Sequence, residues 1–541
     1  MDEFTTEEQE IIKPFFTNLD KPVFCLINLP EVVKGALFSR YSRSTKSLRR
    51  VLLDEFISKP EMGFKEIVGF QSAQNVPQLV AIKKAEEFYD RVLVGFGDDS
   101  VAELGGANIA CENVSQIATK TLEDARIGIS PLEKSTRYVW FDEKTDGKYK
   151  YFRDSNIMQS KFADDYVEVN DLLFDTYSKL INPMMKFVTE RFSQEEGVSD
   201  RAYNAAVRAQ ACDVLRAFLP ASTLTNVGLF GNGRAFEYLL LKMFSSPLKE
   251  LQILGASMHE ELQKVIPSFV KRANDEMFGK VQQKYLSETR SAMDKISSEF
   301  TQKIPIENLE PVTLVEFDPD AEIKIVASMM YPFTHHSMKQ LQDLVRKMTS
   351  DQRKKIIHEY LYRRANRRHK PGRAFENAYY KFDVLGNFGI YRDLHRHRVL
   401  TQERQDFTVK HGFETPKELV EAGFEKDYID CMKKVIEVFE LIYKEFPKQA
   451  QYVVAMGFKT RWYMLMNLRE VAHLVELRSV QQGHPAYRKI AQSIFLKVKE
   501  VHPALAEYLK FVDMNDYSLT RIEAEKGIDQ RMEEIKKKYG S

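Results

Sequence analysis

A basic triplet in the last third of the chain has the composition of a phosphate-binding site. Arg396, His397 and Arg398 are consecutive, and the next residues are Val-Leu-Thr-Gln, which add a hydroxyl and an amide. Guanidinium groups offer forked donors that match phosphate oxygens, and an imidazole can stack or donate beside a ring. Basic triplets usually lie on solvated surfaces, so the triplet is weak on its own. A functional interpretation requires matching residues elsewhere in the chain.

The two halves of the sequence follow one plan. A segment at 130–138 of the first half takes the same place in the order of motifs as 396–405 of the second, and it keeps the later part of one shared pattern. Each half then has Asn-x-Arg opening an amphipathic helix pattern, at Asn232 and at Asn467. A further helix pattern follows in each and closes at Pro267 and at Pro503. Because the order is the same in both, internal duplication is the leading explanation.

Length and composition indicate an ordinary globular chain of two domains. The chain has 541 residues, of which 43% are hydrophobic and 29% charged, and it exceeds the usual size of a single core. A charged helical stretch at 280–303 runs into 304–311, where two prolines are typical of a linker. We therefore predict a first domain at 1–303, a linker at 304–311 and a second domain at 312–541.

Charge and cysteine usage argue against several classes of function. The formal net charge of +1 gives no general attraction to nucleic acid or to an anionic membrane. We find no secretory signal and no apolar stretch near the roughly 20 residues that span a bilayer, so we expect a cytoplasmic protein. The four cysteines are far apart and form no CxxC pair, and His335-His336 lacks a third ligand. Neither a disulfide framework nor a metal site is predicted.

The motifs together resemble the signature of the flavin-dependent thymidylate synthases. That signature reads Arg-His-Arg, two residues, Ser, two residues, Glu, one residue, Ser, one residue, Arg. The resemblance covers roughly residues 30–275 and 310–510, as a tandem pair in one chain. It implies an α+β fold of two homologous domains of the thymidylate-synthase-complementing type, each a sheet flanked by long helices. The resemblance implies an assembly like a tetramer of single domains, and because this chain carries two such domains, we expect a homodimer.

Neither copy has the whole signature, and the two losses are complementary. The first half keeps the end of the signature as Glu133, Ser135 and Arg137. It has replaced the beginning with Ala125, Arg126 and Ile127. The second half keeps the beginning, with Thr401 in place of Ser, but has replaced the end with Arg404, Asp406 and Thr408. One composite site for each pair of halves would explain both patterns. Whether the halves pair within one chain or across a dimer stays open.

The resemblance assigns a role to particular residues of this chain. The expected FAD contacts are Ser100, Glu133, Arg396, His397, Arg398, Asn467, Arg469 and His473. The expected nucleotide contacts are Glu133, Ser135, Arg137, Arg216, Asp393, Arg396 and Arg478. Arg478 is the expected catalytic residue, since a fixed charge beside a uracil ring would stabilise the anion that develops there. At the equivalent places, Met243 replaces the catalytic arginine in the first half and Gln451 the nucleotide arginine in the second.

The resemblance also implies a reaction. A methylene group would pass from methylenetetrahydrofolate to dUMP, giving dTMP, with FAD as the cofactor and NADPH as the reductant. No cysteine nucleophile is required. Simpler roles also stay open for some residues: Arg216 and Glu133 could form structural ion pairs, Asn467 and Arg469 could only cap a helix, and His473 could be a core histidine.

Two other functions remain open at this point. The first is a flavoprotein of the same family with an altered nucleotide substrate or lost activity, since Arg404 adds charge where Glu belongs and Met243 cannot replace an arginine. The second is a non-catalytic nucleotide-binding or nucleic-acid-binding scaffold. Its only specific support is the basic stretch at 363–370, which could equally attract the anionic folate or pyridine nucleotide.

Overall fold

The computed structural model describes residues 4–58, 102–124, 127–307 and 310–540. The chain divides into two compact units. The first unit comprises Met1–Val114, Ala118–Glu133 and Thr225–Ile304. The second unit comprises Ser115–Ile117, Lys134–Leu224 and Pro305–Ser541. The segment 134–224 thus belongs to the second unit, so the units are a different division from the repeats. The predicted domains at 1–303 and 312–541 stay a prediction.

The described strands are two to ten residues long. They are β1 (Gly106–Ser115), β2 (Ile129–Glu133), β3 (Lys144–Thr145), β4 (Lys148–Tyr149), β5 (Leu224–Asn232), β6 (Val312–Phe317), β7 (Tyr379–Asn387), β8 (Thr401–Arg404) and β9 (Lys459–Asn467). In β9 the side chains of Trp462, Met464 and Met466 are buried while those between them are half-buried, as expected for a strand with one face on the core.

Helices supply most of the structure in the described ranges. Those of the first 310 residues are α1 (Thr6–Ile12), α2 (Glu31–Tyr41), α3 (Leu48–Val51), α4 (Gln116–Asp124), α5 (Ser155–Met158), α6 (Ala163–Arg191), α7 (Asp200–Leu215), α8 (Gly233–Phe244), α9 (Lys249–Gln263), α10 (Pro267–Val270) and α11 (Gly279–Thr301). Those that follow are α12 (Ala321–Met330), α13 (Met338–Lys347), α14 (Ser350–Leu361), α15 (Phe388–Leu394), α16 (Lys417–Glu421), α17 (Glu425–Tyr443), α18 (Leu468–Arg478), α19 (Pro485–Val501), α20 (Pro503–Ala506) and α21 (Ile522–Tyr539). None of these helices is both long and apolar enough to cross a membrane.

The first unit contains a three-stranded sheet with the order β1-β5-β2. Strands β2 and β5 are antiparallel, with Ile129 opposite Gly231 and Glu133 opposite Val227. Strand β5 leads directly into α8, whose N-cap is Asn232: its side chain accepts a hydrogen bond from Ala235 N at 2.9 Å.

The second unit contains a four-stranded antiparallel sheet with the order β6-β7-β9-β8. Strands β7 and β9 pair along their whole length, from Tyr379 opposite Asn467 to Asn387 opposite Lys459. Each of these two strands runs into a helix, because Asn387 caps α15 and Asn467 caps α18. These two helices carry several of the predicted site residues.

The two sheets repeat one arrangement, which confirms the duplicated α+β plan. The order β1-β5-β2 corresponds to β7-β9-β8, since in each the central strand ends at the Asn-x-Arg motif. The strand beside it carries the signature segment, as Ile129–Glu133 in β2 and Thr401–Arg404 in β8. Duplication followed by divergence accounts for the same topology in both copies.

A short backbone ladder joins equivalent segments of the two copies within the second unit. Ala221 N donates to Val454 O at 2.9 Å, and Met456 N donates to Leu219 O at 2.9 Å. Further along, Gly457 N donates to Ala217 O at 3.0 Å. This repeat ladder, 217–222 against 452–457, holds part of the first half of the sequence beside the second half.

Candidate functional site

The buried carboxylate of Asp393 in α15 lies among arginines from both halves of the sequence. Arg216 Nη1 donates to Asp393 Oδ2 at 3.3 Å. Burial raises the pKa of Asp393, but the charges of Arg216, Arg137, Arg396 and Arg478 outweigh it and hold the pKa well below its usual range. The structure therefore brings five of the predicted substrate contacts together in the second unit.

Arg137 forms an ion pair with Asp213, a carboxylate that was not predicted from the sequence. Its Nε and Nη2 donate to the two oxygens of Asp213, at 2.7 and 2.6 Å. Burial lowers the pKa of Arg137, but the charge of Asp213 outweighs it and raises the pKa overall. Ser135 Oγ accepts a hydrogen bond from Arg137 N at 3.2 Å, so this serine shapes the turn around the arginine. The forked face of Arg137 is occupied as the structure stands.

Arg216 differs because one of its nitrogens lacks a partner. The side chain is buried, and Nη2 has no hydrogen-bond acceptor among the residues that the structure describes. Helix α15 can approach this guanidinium because position 389 is glycine: a Cβ there would lie 3.2 Å from Arg216 Nε. A buried N–H without an acceptor is costly, so an oxygen of an anionic ligand would stabilise it.

Arg216 lines a cavity of about 270 Å³ in the second unit. Its other walls include Asp213, Asn387, His484, Lys417 and Lys489. Burial and then the charge of Arg216 lower the pKa of His484 to about 4, so its ring is neutral at physiological pH. The cavity therefore combines a buried cation, a neutral imidazole and two exposed lysines with the carboxylates of Asp213, Glu414 and Glu418.

A hydrogen-bonded chain runs through the histidine of the basic triplet. Arg478 Nε lies 2.9 Å from His397 Nε2, and His397 Nδ1 lies 2.7 Å from Glu470 Oε1. Burial, and then the charge of Arg478, lowers the pKa of His397 well below its ordinary value. The neutral ring therefore accepts from Arg478 at Nε2 and donates to Glu470 at Nδ1. Burial also lowers the pKa of Arg478, while Asp393 opposes that effect.

A second histidine lies beside the first. The ring centroids of His397 and His473 are 5.3 Å apart, and Lys370 Nζ lies 2.5 Å from His473 Nδ1. Burial and the charge of Lys370 lower the pKa of His473 to about 4. The ligand atoms of His397, Glu470 and His473 lie within 4.8 Å of one another, as in some metal sites. Because Lys370 and Arg478 contact the two rings, the neighbouring positive charge disfavours a divalent cation here.

The remaining predicted site residues of the second half either bond to other parts of the protein or are exposed. Asn467 Oδ1 accepts from Glu470 N at 2.9 Å, which is the predicted capping contact. Arg469 donates to Pro371 O at 2.8 Å and to Glu376 Oε1 at 2.9 Å, so it fixes the preceding segment. Arg396 and Arg398 are exposed. These two guanidinium groups are the accessible part of the triplet.

Two of the predicted contacts cannot be placed beside this site. Glu133 belongs to the first unit, where its buried carboxylate accepts from Lys120 Nζ at 3.1 Å. A buried ion pair of this kind matches the simpler role that the sequence left open. Ser100 lies outside the described residues.

The basic stretch at 363–370 is partly structural. Arg364 is buried and donates to Glu476 Oε2 at 2.6 Å and to the carbonyls of His369 and Tyr508 at 2.6 and 2.9 Å. Arg363 pairs with Glu359 one helical turn away, at 2.5 Å. Only the last residue of the stretch, Lys370, reaches the paired histidines.

Three acidic or neutral partners were missed from sequence. Asp213 precedes Arg216 by three positions, and Glu470 follows Asn467 by three, which is the spacing of a helix capping box. That spacing could have drawn attention to Glu470, although its carboxylate bonds to His397 rather than to the cap. His484 had no comparable signal.

A family model described as "Thymidylate synthase complementing protein" matches the chain twice, at residues 56–268 and 313–504. The two matches lie in the two halves of the sequence. Together they leave unmatched the stretch from 269 to 312, which contains α11.

Several curated proteins are similar to the chain. A UPF0159 protein of Chlamydia muridarum is 43% identical over 524 residues, covering 97% of this chain and 98% of that protein. A UPF0159 protein of Thermoplasma acidophilum is 32% identical over 521 residues, covering 91% and 97%. A flavin-dependent thymidylate synthase of Sulfurisphaera tokodaii is 27% identical over 148 residues, which is 25% of this chain and 56% of that protein.

Among solved structures, a UMP/dUMP methylase, PolB from Streptomyces cacaoi bound with 5-Br UMP, is 15% identical to the chain. The similarity covers 37% of this chain and 94% of that one, with a TM-score of 0.29.

Proposed function

The chain belongs to the thymidylate synthase complementing protein family, and from this membership we propose that it is an FAD-dependent thymidylate synthase. The proposed reaction converts dUMP to dTMP with methylenetetrahydrofolate and NADPH. One observation carries the proposal: arginines from both halves of the sequence surround Asp393 beside a cavity, and one buried guanidinium nitrogen there lacks an acceptor. We propose one composite site for each chain, built within the second unit.

Arg216 supports the nucleotide end of this site. A phosphate oxygen would satisfy its unpartnered Nη2, and charge-assisted hydrogen bonds of this kind are among the stronger ones in proteins. Arg137 would act with it once its contact with Asp213 rearranges. Asp393 offers only acceptors, so it would orient donors of the bound nucleotide.

The donor set of the second half fits a flavin dinucleotide. Arg396 and Arg398 are exposed and suit a pyrophosphate, while His397 and His473 have lowered pKa values and present neutral rings. Asn467 and Arg469 remain the other proposed contacts within the second unit, while Ser100 and Glu133 stay predictions from the sequence. When bound, reduced FAD supplies the hydride of the reaction.

Arg478 would provide the electrostatic part of catalysis. Its guanidinium is oriented by the hydrogen bond from Nε to His397, and its Cζ lies 5.7 Å from the ring centroid of Tyr487. A charge held in this way needs no reorganisation when negative charge develops on a pyrimidine ring. Glu470 supports it indirectly, because it holds the proton of His397 on Nδ1 and leaves Nε2 free to accept.

The proposal has a direct test in the purified protein. An absorption spectrum with flavin bands is expected. After anaerobic reduction, the flavin should reoxidise and its bands return only when both dUMP and methylenetetrahydrofolate are added, with dTMP formed. Absence of flavin after incubation with FAD would contradict the proposal. The homodimer and the cytoplasmic location expected from sequence are part of the same proposal.

A second candidate function is favoured by the two carboxylates in the site. Asp213 binds Arg137 and Asp393 binds Arg216, so both proposed phosphate ligands already have anionic partners. A family member with another nucleotide substrate would be consistent with this arrangement. Flavin that stays reduced with dUMP but reoxidises with a different pyrimidine nucleotide would favour this candidate.

Glu470→Ala is expected to lower kcat about 10-fold to 100-fold, because Arg478 loses the support that reaches it through His397. Glu470→Gln should retain most of the activity, since its amide oxygen can still accept from Nδ1. Steady-state kinetics would measure both, with KM for dUMP expected to change little. The exposed Glu440→Ala is the matched control, and equal kcat for Glu470→Ala and the control would contradict the proposed positioning role.

Arg396→Ala is expected to weaken FAD binding about 10-fold to 100-fold, because one charge-assisted contact to the pyrophosphate is lost. The flavin-to-protein ratio after gel filtration and a fluorescence titration with FAD would measure the change. Arg531→Ala removes an equally exposed arginine from α21 and should leave binding unchanged. If both variants retain FAD equally, Arg396 is not a flavin contact.

A further inference from the structure

Helix α11 leaves a large apolar face exposed. It lies between the two family matches and has 23 residues, a length of about 35 Å. One side packs on its own unit, where Gln283 Nε2 donates to Ala273 O and Arg290 Nη1 donates to Ser245 O. All residues from 291 to 300 are exposed.

The exposed side carries large hydrophobic residues along its whole length. Their relative exposures are 61% for Val281, 59% for Tyr285, 55% for Met293, 46% for Ile296 and 73% for Phe300. Spacings of three, four, seven or eight positions keep such residues on one side of a helix. A contiguous exposed apolar surface of this extent on a helix, here called the α11 stripe, is typical of an interaction site.

Four of the five residues of the α11 stripe are placed symmetrically about its centre. Val281 and Phe300 are equally far from the midpoint between residues 290 and 291, and so are Tyr285 and Ile296. An antiparallel copy of the same helix would therefore place Val281 against Phe300 and Tyr285 against Ile296. A two-fold interface requires a surface that is complementary to itself in this way.

Charged residues beside the stripe favour the same arrangement. Lys284 and Glu299 each follow a residue of the stripe by three positions, about 60° around the helix, and so flank it on the same side. An antiparallel pair would bring Lys284 of each helix near Glu299 of the other. Antiparallel packing also aligns the two helix dipoles favourably.

We propose that the α11 stripe is an interface between two copies of this chain, packed antiparallel about residues 290 and 291. The interface is independent of the proposed function, because α11 contributes no residue to the Asp393 site.

Sedimentation velocity of the full chain over a concentration series tests this interface. The wild-type chain is expected to dimerise, and the double variant Ile296→Glu with Phe300→Glu should raise the dimer Kd at least about 100-fold. Both side chains are exposed, so circular dichroism should show unchanged folding. Ser298→Glu, about 200° around the helix from Ile296, is the matched control and should dimerise like wild type.

Charge exchange tests the orientation of the two helices. Lys284→Glu and Glu299→Lys should each weaken the dimer about 2-fold to 10-fold, and the two changes combined in one chain should restore wild-type affinity. A monomeric wild type, or a dimer that the Ile296 and Phe300 changes leave intact, would overturn the interface. Failure of the combined variant to recover would overturn the antiparallel orientation.

Discussion

Replacing Arg478 with alanine is expected to reduce dTMP formation about 10³-fold while FAD remains bound, because the variant loses preorganised positive charge beside the reacting ring. His397 and Glu470 would keep their own hydrogen bond, so the surrounding site should persist. Single-turnover formation of dTMP by the reduced enzyme would measure the chemical step, and flavin absorbance would measure retention of the cofactor.

Two further variants separate charge from packing at this position. Arg478→Lys keeps a positive charge but loses the forked donors, so it should recover only a small part of the rate. Met243→Leu changes the equivalent place in the first copy, where a volume-conserving exchange should leave the rate unchanged. An Arg478→Ala enzyme with more than a tenth of wild-type turnover would remove Arg478 from the catalytic role.

Asp213→Ala is expected to lower the free energy of unfolding of the second unit by about 3–5 kcal/mol, because it leaves the buried guanidinium of Arg137 without its carboxylate. Both tryptophans of the chain, Trp140 and Trp462, belong to the second unit, so intrinsic fluorescence in denaturant reports on the unit concerned. The matched control is Asp427→Ala, which breaks an exposed ion pair with Lys179 and should cost about 1 kcal/mol or less.

The same variant should show a defined pH dependence. Burial raises the pKa of Asp213, but the charge of Arg137 outweighs it, and the pKa in the folded protein is lowered overall. The stabilisation is therefore complete above the ordinary aspartate pKa of about 3.9 and disappears as the pH falls through the lowered value. The difference between wild type and Asp213→Ala should shrink in that acidic range. A difference that grew on acidification would contradict the proposed pair.

The sequence carried enough information to predict the fold class and the duplicated order of elements. Asparagine caps at Asn232 and Asn467 have a local physical cause, since the side chain satisfies a free N–H at the start of a helix. The signature could also be found by comparing short segments, since Arg-His-Arg lies in the second half and the end of the signature lies in the first. These features depend on residues that are neighbours in the chain.

The partners of the predicted arginines could not be derived in that way. Arg137 meets Asp213 across 76 positions, and Arg216 meets Asp393 across 177. Such pairs depend on how helices and sheets pack, which no local pattern specifies. The same limit applies to the compact units, because the association of 134–224 with the second half rests on tertiary contacts rather than on repeat boundaries.

The repeat ladder at 217–222 and 452–457 has a consequence for how such a chain diverges. In an assembly of identical subunits, each substitution appears at every copy of an interface, so a change that benefits one position is imposed on all of them. Here the two sides of the ladder are encoded separately, and they have become different sequences: Pro220 lies opposite Ala455. Mutation can therefore act on one side at a time. Joining the two copies in one chain turns a symmetric contact into two separately encoded surfaces, and selection can change each of them independently.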